Sequence, residues 1–137
     1  MSILLNTDSY KASHWLQYPK GTTYVYSYIE ARGFDEMNIY EESVTQRFYQ
    51  NIYETLFVGM QPLLKEYLSK PITLNDINIA EAVLLNHGEP FNREGWMHIL
   101  NEHGGYLPIE IKCVPEGTPV PLNNVLATIV NTDPKSS

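Results

Sequence analysis

Asp8, Tyr10, Lys11 and His14 set a carboxylate, an aromatic ring, an ammonium and an imidazole within one short stretch of chain. An aromatic face holds a flat, electron-poor, weakly hydrated ring well, at about 0.5–1.5 kcal/mol beyond simple burial. Tyr10 is therefore a candidate for stacking on a ligand; the alternative is a tyrosine packed at the start of a helix. Asp8 or Ser9 can accept from an orphan amide of that helix's first turn, and an N-cap alone would justify either residue type. His14 falls on the Tyr10 face at i, i+4, where it serves either to orient a pocket or, the plainer reading, to make a structural hydrogen bond. Arg32 closes a tyrosine-rich stretch, and a guanidinium forks well onto phosphate oxygens; an isolated arginine at a strand end also serves as a solvated surface residue. His87, His98 and His103 lack metal-ligand spacing and carboxylate company, so no metal site is expected. Nothing glycine-rich has the form of a P-loop or dinucleotide fingerprint. No residue is assigned a catalytic role.

The elements that must position these side chains are readable in part. A short helix is expected over Tyr10 to Gln17, broken by Pro19-Lys20-Gly21. From Thr22 to Ala31 the period switches to two, with Tyr24, Tyr26 and Tyr28 on one face and Val25, Ser27 and Ile29 on the other. Both faces of this strand are expected to be partly covered. Residues 33–51, including Tyr40-Glu41-Glu42, show no clean period. Glu54 to Val58 reads as a strand, and a helix follows to about Tyr67, with Pro62 tolerated in its first turn. Thr73 with Asp76 starts a helix through Ala80 and Leu84 that stops at Gly88. Asn92 caps another, whose apolar stripe of Trp96, Ile99 and Leu100 ends at Gly104-Gly105, with Trp96 expected in the core. The tail is β: Leu107 to Val114, a turn at Pro115-Glu116-Gly117, and Val125 to Val130 after a turn at Asn123-Asn124. This pattern predicts an α+β fold, a small mixed domain with mostly antiparallel strands and three or four helices.

The 137 residues are one domain's worth of chain, with 43% hydrophobic content. A net charge of −7 with singly scattered Lys and Arg argues against nucleic acid, whose binding rests on clustered cations. No apolar run is long enough to span a bilayer, and Met1 to Leu5 is too short and too soon interrupted for a signal peptide. Cys113 is the single cysteine, which excludes an intrachain disulfide. A cytoplasmic protein is expected, with neither nucleic acid nor membrane as partner.

Asn6-Thr7-Asp8-Ser9-Tyr10-Lys11 with His14 and Gln17-Tyr18-Pro19 resembles the amino-terminal signature of the nicotinamide phosphoribosyltransferases. Further blocks follow in family order: Tyr24-Val25-Tyr26-Ser27-Tyr28 with Glu30 and Arg32, then Glu54 to Gln61, Phe91-Asn92 with Gly95-Trp96, Leu107 to Lys112, Val114 to Gly117, and Asn124 to Leu126 running on to Asn131-Thr132-Asp133-Pro134. The resemblance fades over residues 33–51.

That resemblance implies residues 1–137 as the amino-terminal domain of an enzyme that joins nicotinamide to phosphoribosyl pyrophosphate on the salvage route to NAD, with the catalytic α/β barrel missing. It implies that Tyr10 stacks on nicotinamide bound in the partner subunit's barrel of a homodimer, that Asp8 projects toward the ligand pocket, and that Arg32 reaches the phosphate groups. Mg2+ and ATP are implied for the full-length family, with neither bound by this chain alone, and the chain alone is expected to be inactive. The family's phosphoryl-accepting histidine belongs to the barrel, so none of the four histidines inherits it. A second reading is a free-standing, non-catalytic module, or a truncated or split product, that binds or complements a full-length relative. The polar ending Lys135-Ser136-Ser137, where the family leads into a helix, reads as a cut. A third reading is a nicotinate enzyme, which shares the Thr-Asp-x-Tyr core; the Leu107–Lys112 and Asn131–Pro134 blocks fit the nicotinamide branch better.

Overall fold

Thr73 and Asp76 form a reciprocal capping box, and the longest helix grows from it. The Thr73 hydroxyl accepts from the Asp76 amide at 3.2 Å, and the Asp76 carboxylate accepts from the Thr73 amide at 2.9 Å. The computed structural model describes residues 3–32 and 53–136; the expectations for residues 33–51 lie outside the described residues. In chain order the elements are a 3-10 turn at Ile3–Leu5, a 3-10 helix at Ser9–Leu16, β1 (Tyr26–Glu30), β2 (Glu54–Phe57), α1 (Met60–Tyr67), α2 (Leu74–Asn86), α3 (Arg93–Glu102), β3 (Ile109–Cys113), β4 (Thr118–Pro121), β5 (Val125–Asn131) and a final 3-10 turn at Pro134–Ser136. The fold is α+β, as the sequence predicts. No described helix is long and apolar enough to cross a membrane.

The chain divides into two compact units. The first takes residues 1–25, 61–110 and 130–137. Its core is Leu4, Ile72, Ile77 and Ala80, with Phe91, Trp96 and Leu107 among the half-buried residues packed against it. Ile77, Ala80 and Leu84 are the buried stripe of α2, spaced to fall on one helical face. The helix ends in a Schellman motif: Gly88 sits at φ +79, its amide donates to the Leu85 carbonyl, and the Glu89 amide donates to Leu84. Asn92 caps α3 by accepting from the Gly95 amide at 3.0 Å. Arg93 ties that helix to α2 through Glu81 and Asn78. After α3 the chain turns at Gly104-Gly105, and Ile72 donates to the Gly105 carbonyl at 2.8 Å. Trp96, expected in the core, is only half-buried, because one side of it lines a groove.

The second unit takes residues 26–60 and 111–129. Phe57, Val120 and Leu126 form its core, with Ala31, Met60 and Val114 around them. β2 and β4 pair antiparallel, Thr55 opposite Val120 and Phe57 opposite Thr118. The sequence reading places no strand between its turns at Pro115-Glu116-Gly117 and Asn123-Asn124, and prolines such as Pro119 and Pro121 are uncommon in a ladder strand. The register explains why they are tolerated. Leu122 donates to the Tyr53 carbonyl, so by the antiparallel alternation Val120 faces β2 next; at the far end Gly117 donates to the Phe57 carbonyl while Thr118 donates to Pro115. The prolines point their missing donors away from it. Asn123, at φ +60, makes the turn into β5 and donates to the Ala31 carbonyl at 2.8 Å.

The other sheet has the order β1-β5-β3. Val114 donates to Leu126, and Thr132 to Pro108, so β3 ascends as β5 descends: the pair is antiparallel. β1 corrects the sequence reading. It spans Tyr26–Glu30 rather than 22–31, and all its residues are exposed instead of partly covered. Residues before it are held by a side chain instead of a ladder: Asn131 accepts from the Val25 amide at 2.7 Å and donates to the Thr23 carbonyl at 2.9 Å. β1 is an edge strand, and among the described residues no layer lies over it.

Candidate functional site

Ser9 to Leu16 is a 3-10 helix, tighter than the α-helix the sequence suggests. Asp8 stands at its N-cap position in extended conformation, yet its side chain makes no capping bond. It turns instead to Lys11, whose ammonium lies 2.9 Å from the carboxylate. The hydrogen bond from Lys11, reinforced by its charge, holds the Asp8 carboxyl below the usual carboxylate range, and the same bond raises the Lys11 ammonium. Both side chains are exposed, so the pair fixes local geometry more than it stabilises the fold.

Tyr10 lies between them in sequence, and the residue is 57% exposed. Lys11 Nζ sits 5.7 Å from the ring centroid, within cation–π range. The His14 ring is tilted against it at 6.0 Å between centroids, so the i, i+4 proximity survives the change of helix type. Ser13 donates to the Tyr10 carbonyl at 2.8 Å and tightens the same turn. The chemistry on offer is an aromatic face presented outward, flanked by one cation and one anion.

A groove of about 410 Å3 runs beside this helix within the first unit, lined by Lys11, Trp15, Phe91, Trp96, Leu107 and Lys135 among others. Two indoles and a phenyl ring make its walls largely apolar, and the lysines supply positive charge. Tyr10 and Asp8 do not line it. Arg32 belongs to the second unit, exposed and just beyond the end of β1. The structure thus brings Asp8, Tyr10, Lys11 and His14 together in one unit and places Arg32 in the other.

A second constellation corrects the sequence reading. His98 and His103 do have carboxylate company: their Nε2 atoms lie 2.6 and 2.7 Å from the same oxygen of Asp133. These bonds, His98 first and then His103, together with the Lys135 amide, hold the Asp133 carboxyl far below its usual range. Asp133 is distant from both histidines in sequence, and the pairing of Thr132 with Pro108 carries it to the end of α3. The Asn-Thr-Asp-Pro block was visible as a motif, but nothing local linked it to the histidines.

The sequence matches the protein family described as nicotinamide phosphoribosyltransferase, N-terminal domain, over residues 2–111. It is 49% identical over 135 residues to a nicotinamide phosphoribosyltransferase of Xanthomonas campestris pv. campestris (strain 8004), covering 98% of this chain and 25% of that protein. It is 32% identical over 136 residues to a nicotinamide phosphoribosyltransferase of Acinetobacter baylyi (strain ATCC 33305 / BD413 / ADP1), covering 91% of this chain and 25% of that protein. The chain spans about a quarter of the length of these curated relatives.

Proposed function

This chain belongs to the family of nicotinamide phosphoribosyltransferase amino-terminal domains, and we propose that it serves as the dimer-interface part of such an enzyme. In the proposed reaction the pyridine nitrogen of nicotinamide displaces pyrophosphate at the anomeric carbon of phosphoribosyl pyrophosphate, giving nicotinamide mononucleotide for NAD salvage. Tyr10 stacks on the nicotinamide ring held in the partner subunit, Asp8 faces the same pocket, and Arg32 approaches the phosphates. One observation carries this reading. Tyr10 is a large aromatic left 57% exposed, on a helix turn fixed by the Lys11–Asp8 pair and the Ser13 bond. Such a ring is pre-organised to meet a surface beyond its own fold. Tyr24, Tyr26 and Tyr28, also exposed, suit the aromatic-rich character of protein interfaces.

The chain's own share in this reading is positioning; binding of both substrates and most of the electrostatic stabilisation fall to a barrel. In this reading Mg2+ is left to the barrel. The group of three that could hold an ion pairs two imidazoles with one carboxylate, whereas magnesium requires oxygen donors in near-octahedral array. ATP has no glycine-rich phosphate cradle in this sequence. By itself the 137-residue chain is proposed to be inactive.

The test uses an enzyme in which this chain is joined to a barrel. Tyr10→Ala should raise KM for nicotinamide roughly tenfold, while Tyr10→Phe stays near the parent value, since stacking needs the ring and not the hydroxyl. Mixed dimers then identify the subunit that Tyr10 serves. With Tyr10→Ala and a barrel-inactivating lesion on different subunits, the surviving site should keep the parent KM; with both on one subunit, the surviving site should show the raised KM. Equal KM values for Tyr10→Ala and parent would overturn the stacking role, and the opposite dimer pattern would overturn the cross-subunit one.

A further inference from the structure

We propose that His98, His103 and Asp133 form a binding site for a zinc-class divalent cation, pinning the end of α3 to the loop after β5. This inference is independent of the nicotinamide reading and draws on different residues. His98 lies in α3, and His103 is the residue that caps its carboxy-terminal end. The rings meet edge-on, with centroids 5.7 Å apart and planes at 76°, and each directs Nε2 at one oxygen of Asp133. One donor atom from each residue lies within 4.8 Å of the others. A tetrahedral cation with bonds of about 2.0–2.1 Å needs its ligand atoms roughly 3.3 Å apart. The two nitrogen–oxygen distances must therefore open by about 0.7 Å, which side-chain torsions can supply without moving the backbone.

The surroundings favour a built site over a chance meeting of rings. Asp133 Oδ1 accepts from the Lys135 amide at 2.9 Å, which fixes the carboxylate and leaves Oδ2 for the imidazoles. The Asp133 carbonyl accepts from the buried Asn131 amide at 2.7 Å. Outer partners of this kind hold metal ligands in orientation. The three side chains retain 18–30% of their exposure, enough for a cation to enter and for water to complete the coordination. Two imidazoles with one carboxylate suit zinc and its neighbours; an oxygen-only set would suit magnesium or calcium, and thiolates the softer ions. Proton balance is simple. An imidazole that donates from Nε2 gives that proton up, to Nδ1 or to solvent, as Nε2 turns to the cation, so two N–H···O bonds are exchanged for two N–metal bonds.

The test is calorimetric titration of the untagged, metal-free full chain with Zn2+. One equivalent should bind, an excess of Mg2+ should not compete, and Co2+ should give the visible absorption of a tetrahedral nitrogen–oxygen site. The double variant His98→Asn/His103→Asn should weaken Zn2+ binding by more than about 100-fold, while His87→Asn leaves it unchanged. Nitrogen NMR of the parent chain avoids any dependence on how the variant folds: Zn2+ should shift Nε2 of His98 and His103 and leave His14 and His87 in place. Absence of stoichiometric binding, shifts at other histidines, or undiminished affinity in a folded double variant would each overturn the proposal and leave a hydrogen-bonded triad.

Discussion

Replacing Gly105 by alanine should destabilise the first unit by about 3–5 kcal/mol, and its neighbour Gly104 supplies the internal control. Both glycines have left-handed backbones, at φ +83 and φ +60, so both alanine variants carry a conformational cost of about 1–2 kcal/mol. Beyond that they differ. A Cβ on Gly104 meets nothing within 4 Å, whereas one on Gly105 would lie 2.3 Å from the Ile72 carbonyl oxygen and 2.9 Å from its nitrogen. These are backbone atoms, so no side-chain rotation relieves the overlap. Ile72 must move, which breaks its 2.8 Å bond to the Gly105 carbonyl, at about 1 kcal/mol. Movement also loosens a side chain only 4% exposed, at about 1–2 kcal/mol. Equilibrium denaturation of both variants measures the difference: midpoints should separate clearly while the slope is unchanged. If Gly105→Ala fell within about 1 kcal/mol of Gly104→Ala, the close approach to Ile72 would be wrong.

Asn131→Ala should cost about 2–4 kcal/mol, since it strips partners from the Val25 amide and from the Thr23 and Asp133 carbonyls at a 7% exposed position. Asn131→Asp should not restore stability, because it sets a carboxylate oxygen against those two carbonyls; parent-like denaturation of that variant would refute the amide's orientation. The Asp8 carboxyl, followed by NMR, should titrate below its ordinary value near about 3.9 and return toward it in Lys11→Met. The sign follows from the lowered folded value: whatever stability the pair contributes is present above the unfolded carboxyl pKa and is lost as pH falls through the folded one. A midpoint unmoved by Lys11→Met would rule out the lysine as its cause.

What could be read in advance was whatever the chain settles over a few residues. The Thr73–Asp76 box, the Asn92 cap and the Gly88 stop depend on side chains three or four positions away, and each lies where the residue types indicate. Errors arise where a distant partner decides. The Tyr24 stretch has the period of a covered strand, but Asn131, far along the chain, takes its first hydrogen bonds and leaves the remainder as an exposed edge. β4 hides behind its prolines, because only the register with β2 reveals which way they face. One local contact misleads as well: the helix at Asp8 lies where the residue types indicate but is a 3-10 helix, and Lys11, three residues on, holds the carboxylate that would otherwise cap it. Tyr10, Asp8 and Arg32 were singled out by motif, and no local periodicity would have chosen them. Nothing near His98 and His103 in sequence foretells their carboxylate, which arrives by strand pairing.

The proline pair in β4 also bears on how the molecule behaves in a crowded solution. A two-stranded ribbon has an outer rim, and a rim with unpaired amides is an invitation for any extended chain to add itself as the next strand. Here the positions that would greet such a chain are Pro119 and Pro121, which have no hydrogen to give. An incoming strand would find acceptors without donors and could not continue the ladder. The residues that obscured the strand in the sequence thus guard it against sticky, fibre-like growth, and exchanging both for valine should leave the unit folded but prone to self-association.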